Sequence, residues 1–366
     1  MSYHRRHIDK FFLFSVLALA IFGFVIFLSA SLGFLATKNV SFASVAMKQT
    51  IGLVIGLLAF FIFSRIPYQW IRKSAFFIFI GAVVINLLLF IPGLSFTHGG
   101  ASRWIDLGFI TFQPSEFLKI AFIIYMAAWA DYVRGKISQM QYSLLPYLVM
   151  MGILGTLLMA QSDTDTLVVI GITGILMLVV AGVPYRHVAI AILAMVIGIA
   201  AVIFFRPYAY ERVQTYLNRG SDAQGTGYQI NQSLIAIGSG QLTGRGFGQS
   251  IQKFGYLPQP TDDSIFAVAA EEFGFIGSIG LIALYCLLAI SSFRVGTRAP
   301  DVFGGLMAVG IAMLIISESF MNIAAMLGLI PLSGMPLLFV SHGGTALIII
   351  LAATGMVANI SKYGKV

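Results

Sequence analysis

The chain has 366 residues, of which 58% are hydrophobic and only 10% charged. A soluble domain carries about 25% charged residues, so this chain has too little charge to cover a water-facing surface. Its net charge of +8 comes without the clustered basic residues and interleaved aromatics of a nucleic-acid binder; it fits an anionic lipid surface and membrane topology instead.

A run of roughly 20 apolar residues crosses a bilayer as a helix, because lipid offers the backbone no water partners. The runs here are continuous rather than alternating, which excludes barrel strands. Ten follow in chain order, near residues 11–35, 46–64, 74–92, 116–131, 143–160, 166–183, 188–205, 264–291, 302–330 and 342–360. The first is too long for the apolar core of a secretory signal, about 7–15 residues, and is read as a retained span. The single cysteine, Cys286, lies in an apolar run, so no disulfide framework and no thiol metal site is expected. The sequence therefore predicts one all-α polytopic membrane domain over residues 1–366, with about ten transmembrane helices and one long loop, roughly 206–263, between helices 7 and 8.

Lysine and arginine set the topology. With the N-terminus inside, the cytoplasmic segments hold Arg5, Arg6, Lys10, Arg65, Arg72, Lys73, Arg134, Lys136, Arg186, Arg294, Arg298, Lys362 and Lys365, thirteen of the twenty-two. The short opposite loops hold only Lys38, Lys48 and Arg103, so both termini are predicted cytoplasmic and the long loop extracytoplasmic. Eleven of the fourteen acids, including Asp106, Asp222 and Glu318, fall in outer loops, near outer helix ends or inside spans. Ionisable groups at membrane depth face a cavity or a partner. The polar chemistry is thus expected at the non-cytoplasmic face.

Five stretches could carry it. In Phe112-Gln113-Pro114-Ser115-Glu116, proline suits the first turn of the fourth span and Glu116 favours the positive end of the helix dipole. Lys119 shares a face with Glu116; the two form an internal ion pair, or Lys119 awaits an anion such as a phosphate. Asp163 and Asp165 either cap the sixth span or hold a cation or substrate hydroxyls. The long loop contains Gly225 to Gly240, read as a short amphipathic helix or a turn-rich ligand loop. It lacks the Gly-Lys-Ser/Thr ending of a P-loop, and no organic cofactor is expected. Asp262 and Asp263 precede the eighth span: Asp263 reads as its N-cap by local rules, or as a general base with a raised pKa at a dry interface. At least one of Glu271 and Glu272 should face the bundle interior. Between Asn322 and Gly344 the prolines and glycines predict a broken or re-entrant segment, ending at His342, a hydrogen-bonded structural histidine or a site residue.

Together these residues resemble the SEDS family, the FtsW/RodA/SpoVE proteins. The matching pieces are Arg103-Trp104-Ile105 with Phe112 to Lys119, the Gly227-Tyr228-Gln229 stretch, Leu257-Pro258 through Asp263 to Glu271-Glu272, and Asn322 through Pro331 to Gly344. They occur in family order over most of the chain, and Gln252 to Pro258 looks more like the FtsW branch. The resemblance implies a peptidoglycan glycosyltransferase that polymerises lipid II at the outer face of the bacterial cytoplasmic membrane and releases undecaprenyl pyrophosphate. It also implies a class B penicillin-binding protein as partner and a divalent cation, Mg or Mn, for which Asp163 and Asp165 are the candidates. It places the essential aspartate at Asp263, and by position makes Arg103, Glu116, Lys119 and Asp163 cavity residues; Asp262, Glu271, Glu272 and His342 complete the expected substrate site. Three positions depart from the family pattern. Its His-Thr before the aspartate is Thr261-Asp262 here, its Pro-Asp-x-Gly is Ser162-Asp163-Thr164-Asp165, and its Tyr-Gly-Gly-Ser is His342-Gly343-Gly344-Thr345. Other readings from the residues are a lipid flippase or proton-coupled transporter, and a non-catalytic scaffold for a transpeptidase.

Overall fold

The computed structural model describes residues 7–36, 41–91, 95–98, 101–106, 111–218 and 226–364. Arg5, Arg6, Lys38, Arg219, Asp222, Gly225 and Lys365 lie outside them. The helices are α1 (Lys10–Ser31), α2 (Phe42–Phe63), α3 (Tyr68–Leu87), α4 (Pro114–Tyr132), α5 (Leu144–Ala160), α6 (Thr164–Val180), α7 (Tyr185–Phe205), α8 (Pro207–Leu217), α9 (Thr226–Ser239), α10 (Ile265–Arg298), α11 (Val302–Met326) and α12 (Gly344–Ser361). All but α8 and α9 follow the ten apolar stretches in order. Among the described residues seven helices, α1, α2, α3, α7, α10, α11 and α12, are long and apolar enough to cross a bilayer, while α5 and α6 are apolar but shorter. This is a multi-pass helical membrane protein. The loop between α7 and α10 is more ordered than a turn-rich loop would be, since α8 and α9 occupy much of it.

Local chemistry sets the helix starts. Asp9 accepts hydrogen bonds from the N–H groups of Phe11 (2.9 Å) and Phe12 (3.0 Å), and Asp301 from that of Gly304 (2.7 Å). Pro114 and Pro207 open α4 and α8, where the missing N–H would have had no helical partner. Asp9 N–H donates to Ser361 Oγ at 3.1 Å, so the starts of α1 and the end of α12 lie at one end of the bundle.

The bundle is built around α11, which is 78% buried over its apolar window and packs against α4, α6 and α10; α7 is at the rim, with only 11% of its window buried. Small residues let neighbours close in. α2 meets α12 where Gly355 faces the Phe60 carbonyl, and a Cβ on Gly355 would stand 2.4 Å from that oxygen.

Two helices are interrupted near the end that carries the expected site. α10 breaks at Gly274, whose φ of 66° and ψ of −164° are not helical. A side chain there would strain the backbone and put a Cβ 2.3 Å from the Gly244 nitrogen. The freed carbonyls of Glu271 and Glu272 accept from Arg245 N–H and Gly246 N–H, both at 3.0 Å, so the α9–α10 loop takes the place of the missing helical turn. The second interruption follows α11. Residues 327–343 are not helical, as the prolines and glycines predict, and their backbone is held by side chains: Tyr285 Oη donates to the Leu338 carbonyl at 2.5 Å and Asn322 Nδ2 to the Met335 carbonyl at 2.7 Å. A small antiparallel sheet, β1 (Ser95–His98), β2 (Ala101–Asp106) and β3 (Thr111–Phe112), lies between α3 and α4 in the order β1-β2-β3. The sequence reading had no sheet, because these strands are short and lie beside the long apolar runs.

The α2–α12 contact gives a direct test. Gly355→Ala should force the two backbones apart and destabilise the protein by about 1–3 kcal/mol, the usual cost of overpacking. Gly81→Ala, where an added Cβ meets nothing within 4 Å, should leave the thermal midpoint of the detergent-purified protein unchanged or slightly raised.

Candidate active site

The site is assembled where the starts of α4, α6 and α10 meet the segment 327–343 and helix α8. Asp263 stands in the turn before α10. The capping position is Ser264, one residue later, and it makes no side-chain cap bond. Asp263 is therefore not spent on the helix start, contrary to what local rules suggest. Its backbone carbonyl accepts from Asn322 Nδ2 at 2.8 Å, and its Oδ1 is buried without a hydrogen-bond partner. Burial pushes the carboxyl up to about 7, the nearby Gln229 side chain opposes that rise, and the adjacent Asp262 adds to it. Gln229 Nε2 also donates to Ser264 Oγ at 2.9 Å, so α9 is pinned to the same turn.

Asp262 is more open. Its Oδ1 lies 3.5 Å from His342 Nδ1, and both side chains are exposed at about 40% (45% and 39%). His342 is anchored by its own N–H, which donates to the Thr261 carbonyl at 2.7 Å, and by stacking on Phe27 at 5.8 Å.

The two aspartates at the start of α6 turn to different partners. Asp163 is buried, accepts from Thr166 Oγ1 at 3.0 Å, and lies 3.8 Å from the Arg103 guanidinium. Arg103, carried by β2, also donates to the Ser162 carbonyl. Asp163 occupies the N-cap position of α6 without making a cap bond to the backbone. Asp165 pairs with Arg212 of α8 at 2.9 Å and accepts from the Gly334 N–H at 3.3 Å. Asp163 and Asp165 do not fit the expected cation site: each is taken by an arginine, and no group of three or more His, Cys, Asp or Glu suited to a metal occurs among the described residues.

Arg212 lies over the Tyr208 ring at 4.9 Å, and Tyr208 Oη bonds to Thr164 Oγ1. Below them a mostly apolar groove of about 620 Å³ runs between α5, α6 and α7, lined by residues such as Tyr147, Met151, Met195, Gly198 and Met321, with Asp165 and Arg212 at its polar end. Arg212 is also close enough to Asp263 for their charges to attract.

The structure corrects three expectations. Lys119 does not wait for an anion: its Nζ contacts Glu116 Oε1 at 2.8 Å and both oxygens of Glu318 at 2.6 and 2.7 Å, all buried. The internal-pair reading of Glu116 and Lys119 is the one observed, extended by a third member. Glu271 and Glu272 are both buried, yet neither is free for substrate. Glu271 accepts from Ser250 Oγ (2.6 Å), Ile251 N–H (3.1 Å) and Gln252 N–H (3.3 Å). Glu272 accepts from Lys253 Nζ (2.6 Å), Ser250 N–H (3.3 Å) and Ser29 Oγ. They clamp the α9–α10 loop to α10 and α1.

Arg212, Asn322, Gln229 and Glu318 gain roles that sequence reasoning did not assign. A signal existed for one of them: Lys119 and Glu318 both lie inside apolar runs, and two opposite charges at membrane depth have reason to meet.

Residues 9–366 match the FtsW/RodA/SpoVE family of cell cycle proteins. Among curated relatives, the probable peptidoglycan glycosyltransferase FtsW of Geobacter sulfurreducens is 37% identical over 362 residues, covering 98% of this chain and 96% of that one. Stage V sporulation protein E of Bacillus subtilis is 35% identical over 320 residues, 87% of each chain. Among solved structures, a chain from a study of the structural coordination of polymerization and crosslinking by a peptidoglycan synthase complex superposes with a TM-score of 0.79 at 25% identity, covering 97% of both. The rod shape determining protein RodA of Thermus thermophilus gives 0.71 at 25% identity, over 97% of this chain and 96% of that one.

The loop clamp is testable. Lys253→Met leaves the Glu272 carboxylate buried without its counter-ion and should cost about 3–5 kcal/mol. Adding Glu272→Gln should recover most of the loss in thermal midpoint, whereas an unchanged midpoint for Lys253→Met alone would show that the pair does not hold the loop.

Proposed function

Because the chain belongs to the FtsW/RodA/SpoVE family of cell cycle proteins, we propose that it is a peptidoglycan glycosyltransferase, polymerising lipid II at the outer face of the bacterial cytoplasmic membrane. The observation that carries the reading is Asp263: a carboxylate with one buried, unpartnered oxygen and a pKa raised to about 7, beside an arginine at the mouth of an apolar groove. A general base works best when its pKa lies near the operating pH, and the open Oδ1 leaves a lone pair for the proton.

In this reading the sugar hydroxyl of the acceptor attacks the anomeric carbon of the donor. The new C–O bond forms as the bond from that carbon to the donor's pyrophosphate breaks. The hydroxyl proton passes to Asp263, and undecaprenyl pyrophosphate departs. Arg212 sits where the groove meets the polar end, so it can place positive charge on the departing pyrophosphate while the groove takes the polyprenyl chain. Asp165 holds Arg212 in that position, and Asn322 holds the backbone of Asp263. Arg103 and Asp163 brace the neighbouring turn. The FtsW names of several relatives favour the division branch, and a class B penicillin-binding protein is the partner proposed for the assembled enzyme.

Asp263→Asn preserves shape and removes the base. Polymerisation of lipid II by the purified protein should fall by a factor of about 10²–10⁴ with the thermal midpoint retained. The sign of the pH dependence follows from the raised pKa: the base is active when deprotonated, so the rate should climb with pH up to about 7 and then level off. Wild-type polymer yield from Asp263→Asn would overturn the assignment. Movement of labelled lipid II across the bilayer by a protein that makes no polymer would point to the transport reading.

A further inference from the structure

The turn before α10 carries two adjacent aspartates, and the proposed reaction uses only one as base. The other is not idle. Asp262 and His342 are drawn together by three independent ties between their segments. His342 N–H donates to the Thr261 carbonyl at 2.7 Å, Ser341 Oγ donates to the Asp262 carbonyl at 2.6 Å, and the two side chains approach to 3.5 Å. The histidine ring is further fixed by Phe27, stacked at an interplanar angle of 16°, and its own segment by Gln49 Nε2, which donates to the Ser341 carbonyl at 3.3 Å. Such a pair is built into the fold.

The charged groups around it are few. From α1 and α2 the neighbours are Phe27 and Gln49, which do not titrate. From α9 and α11 the turn meets Gln229 and Asn322, also neutral. From α8 the charged group reaching Asp263 is Arg212. Against that background a negative Asp262 raises the cost of ionising Asp263, since like charges on adjacent residues oppose each other. A positive charge on His342, 3.5 Å from the Asp262 carboxylate, offsets it.

We propose that His342 is a positioning residue for the reaction, acting on Asp263 through Asp262: its charge neutralises Asp262 and so keeps Asp263 in the ionised form that accepts the proton. The proposal rests on the reading of Asp263 as base. It also gives two of the three departures from the family pattern a joint explanation, because the extra acid at Asp262 and the histidine at His342 meet each other.

The test is the pH–rate profile of lipid II polymerisation by the full-length protein, measured for the wild type, His342→Gln, Asp262→Asn and the double variant. A partly exposed ion pair is worth up to about 1 kcal/mol, so the shifts should be on the order of half a pH unit. His342→Gln should move the rising limb to higher pH, and Asp262→Asn should move it to lower pH. In the double variant the limb should match that of Asp262→Asn alone, because the histidine has nothing left to neutralise. His342→Lys, which keeps a charge, should hold the limb at or below the wild-type position, and it replaces the glutamine variant if that one does not fold. Two results would overturn the proposal: a loss of rate at every pH with the limb unmoved, which a structural histidine gives, or the same His342→Gln shift with and without Asp262. Full polymerisation by Asp263→Asn is a separate result, overturning the base assignment on which the proposal stands.

Discussion

An ammonium group at membrane depth has to be paired, and Lys119 is paired twice. Its contacts to Glu116 and Glu318 tie α4 to α11 across 199 residues of sequence. Removing either helix from that register would strand a charge in a dry interior, at a cost of several kcal/mol. The constraint reaches the proposed reaction through α11. Asn322 lies four residues beyond Glu318, one helical turn or roughly 6 Å along the axis. Its amide bridges the backbone carbonyls of Asp263 and Met335. The ion cluster thus sets the height of α11, α11 sets the height of Asn322, and Asn322 fixes both the turn that carries Asp263 and the irregular segment facing it.

The two interrupted stretches follow from the same economy of polar groups. Irregular backbone at this depth is tolerated only where its N–H and C=O groups find protein partners. At Gly274 the partners come from the α9–α10 loop, and the loop is in turn locked by Lys253, which is completely buried against Glu272. Beyond α11 they come from Tyr285, Asn322 and Ser341. Glu271 and Glu272 therefore act at one remove from the chemistry. They hold in place the loop that leads through Leu257 to Asp263, which lies in a turn anchored from α9, α11 and residues 341–342.

Much of the fold was legible because apolar length alone dictates a helix in lipid, and the ten predicted stretches coincide with ten helices. The break after α11 was legible from Pro331, Pro336 and the glycines. The sheet at 95–112 and helix α8 were not, since short strands and an amphipathic helix leave a weak imprint beside runs of apolar residues. Within the site, the family pattern picked out Asp263, and the structure adds that its Oδ1 is buried without a hydrogen-bond partner. What the residues could not reveal was who pairs with whom. Capping rules act over three or four positions, so they assigned Asp263 to its own helix. The partners of Lys119, Asp165, Glu272 and Asp262 lie 199, 47, 19 and 80 positions away by number, and only the folded chain chooses among them.

That choice also sorts the carboxylates by role. A carboxylate engaged by fixed protein donors has fewer lone pairs open to a substrate proton. Glu116 and Glu318 are filled by Lys119, Asp163 by Arg103 and Thr166, and Asp165 by Arg212 and Gly334. Glu271 and Glu272 are filled by the loop they clamp. Asp263 differs: its Oδ1 is buried and unbonded, while Gln229 and the turn's own backbone hold the rest of the carboxyl and Asn322 holds its main chain. A carboxyl held on one side with its other oxygen left open is the arrangement that the proposed proton transfer requires.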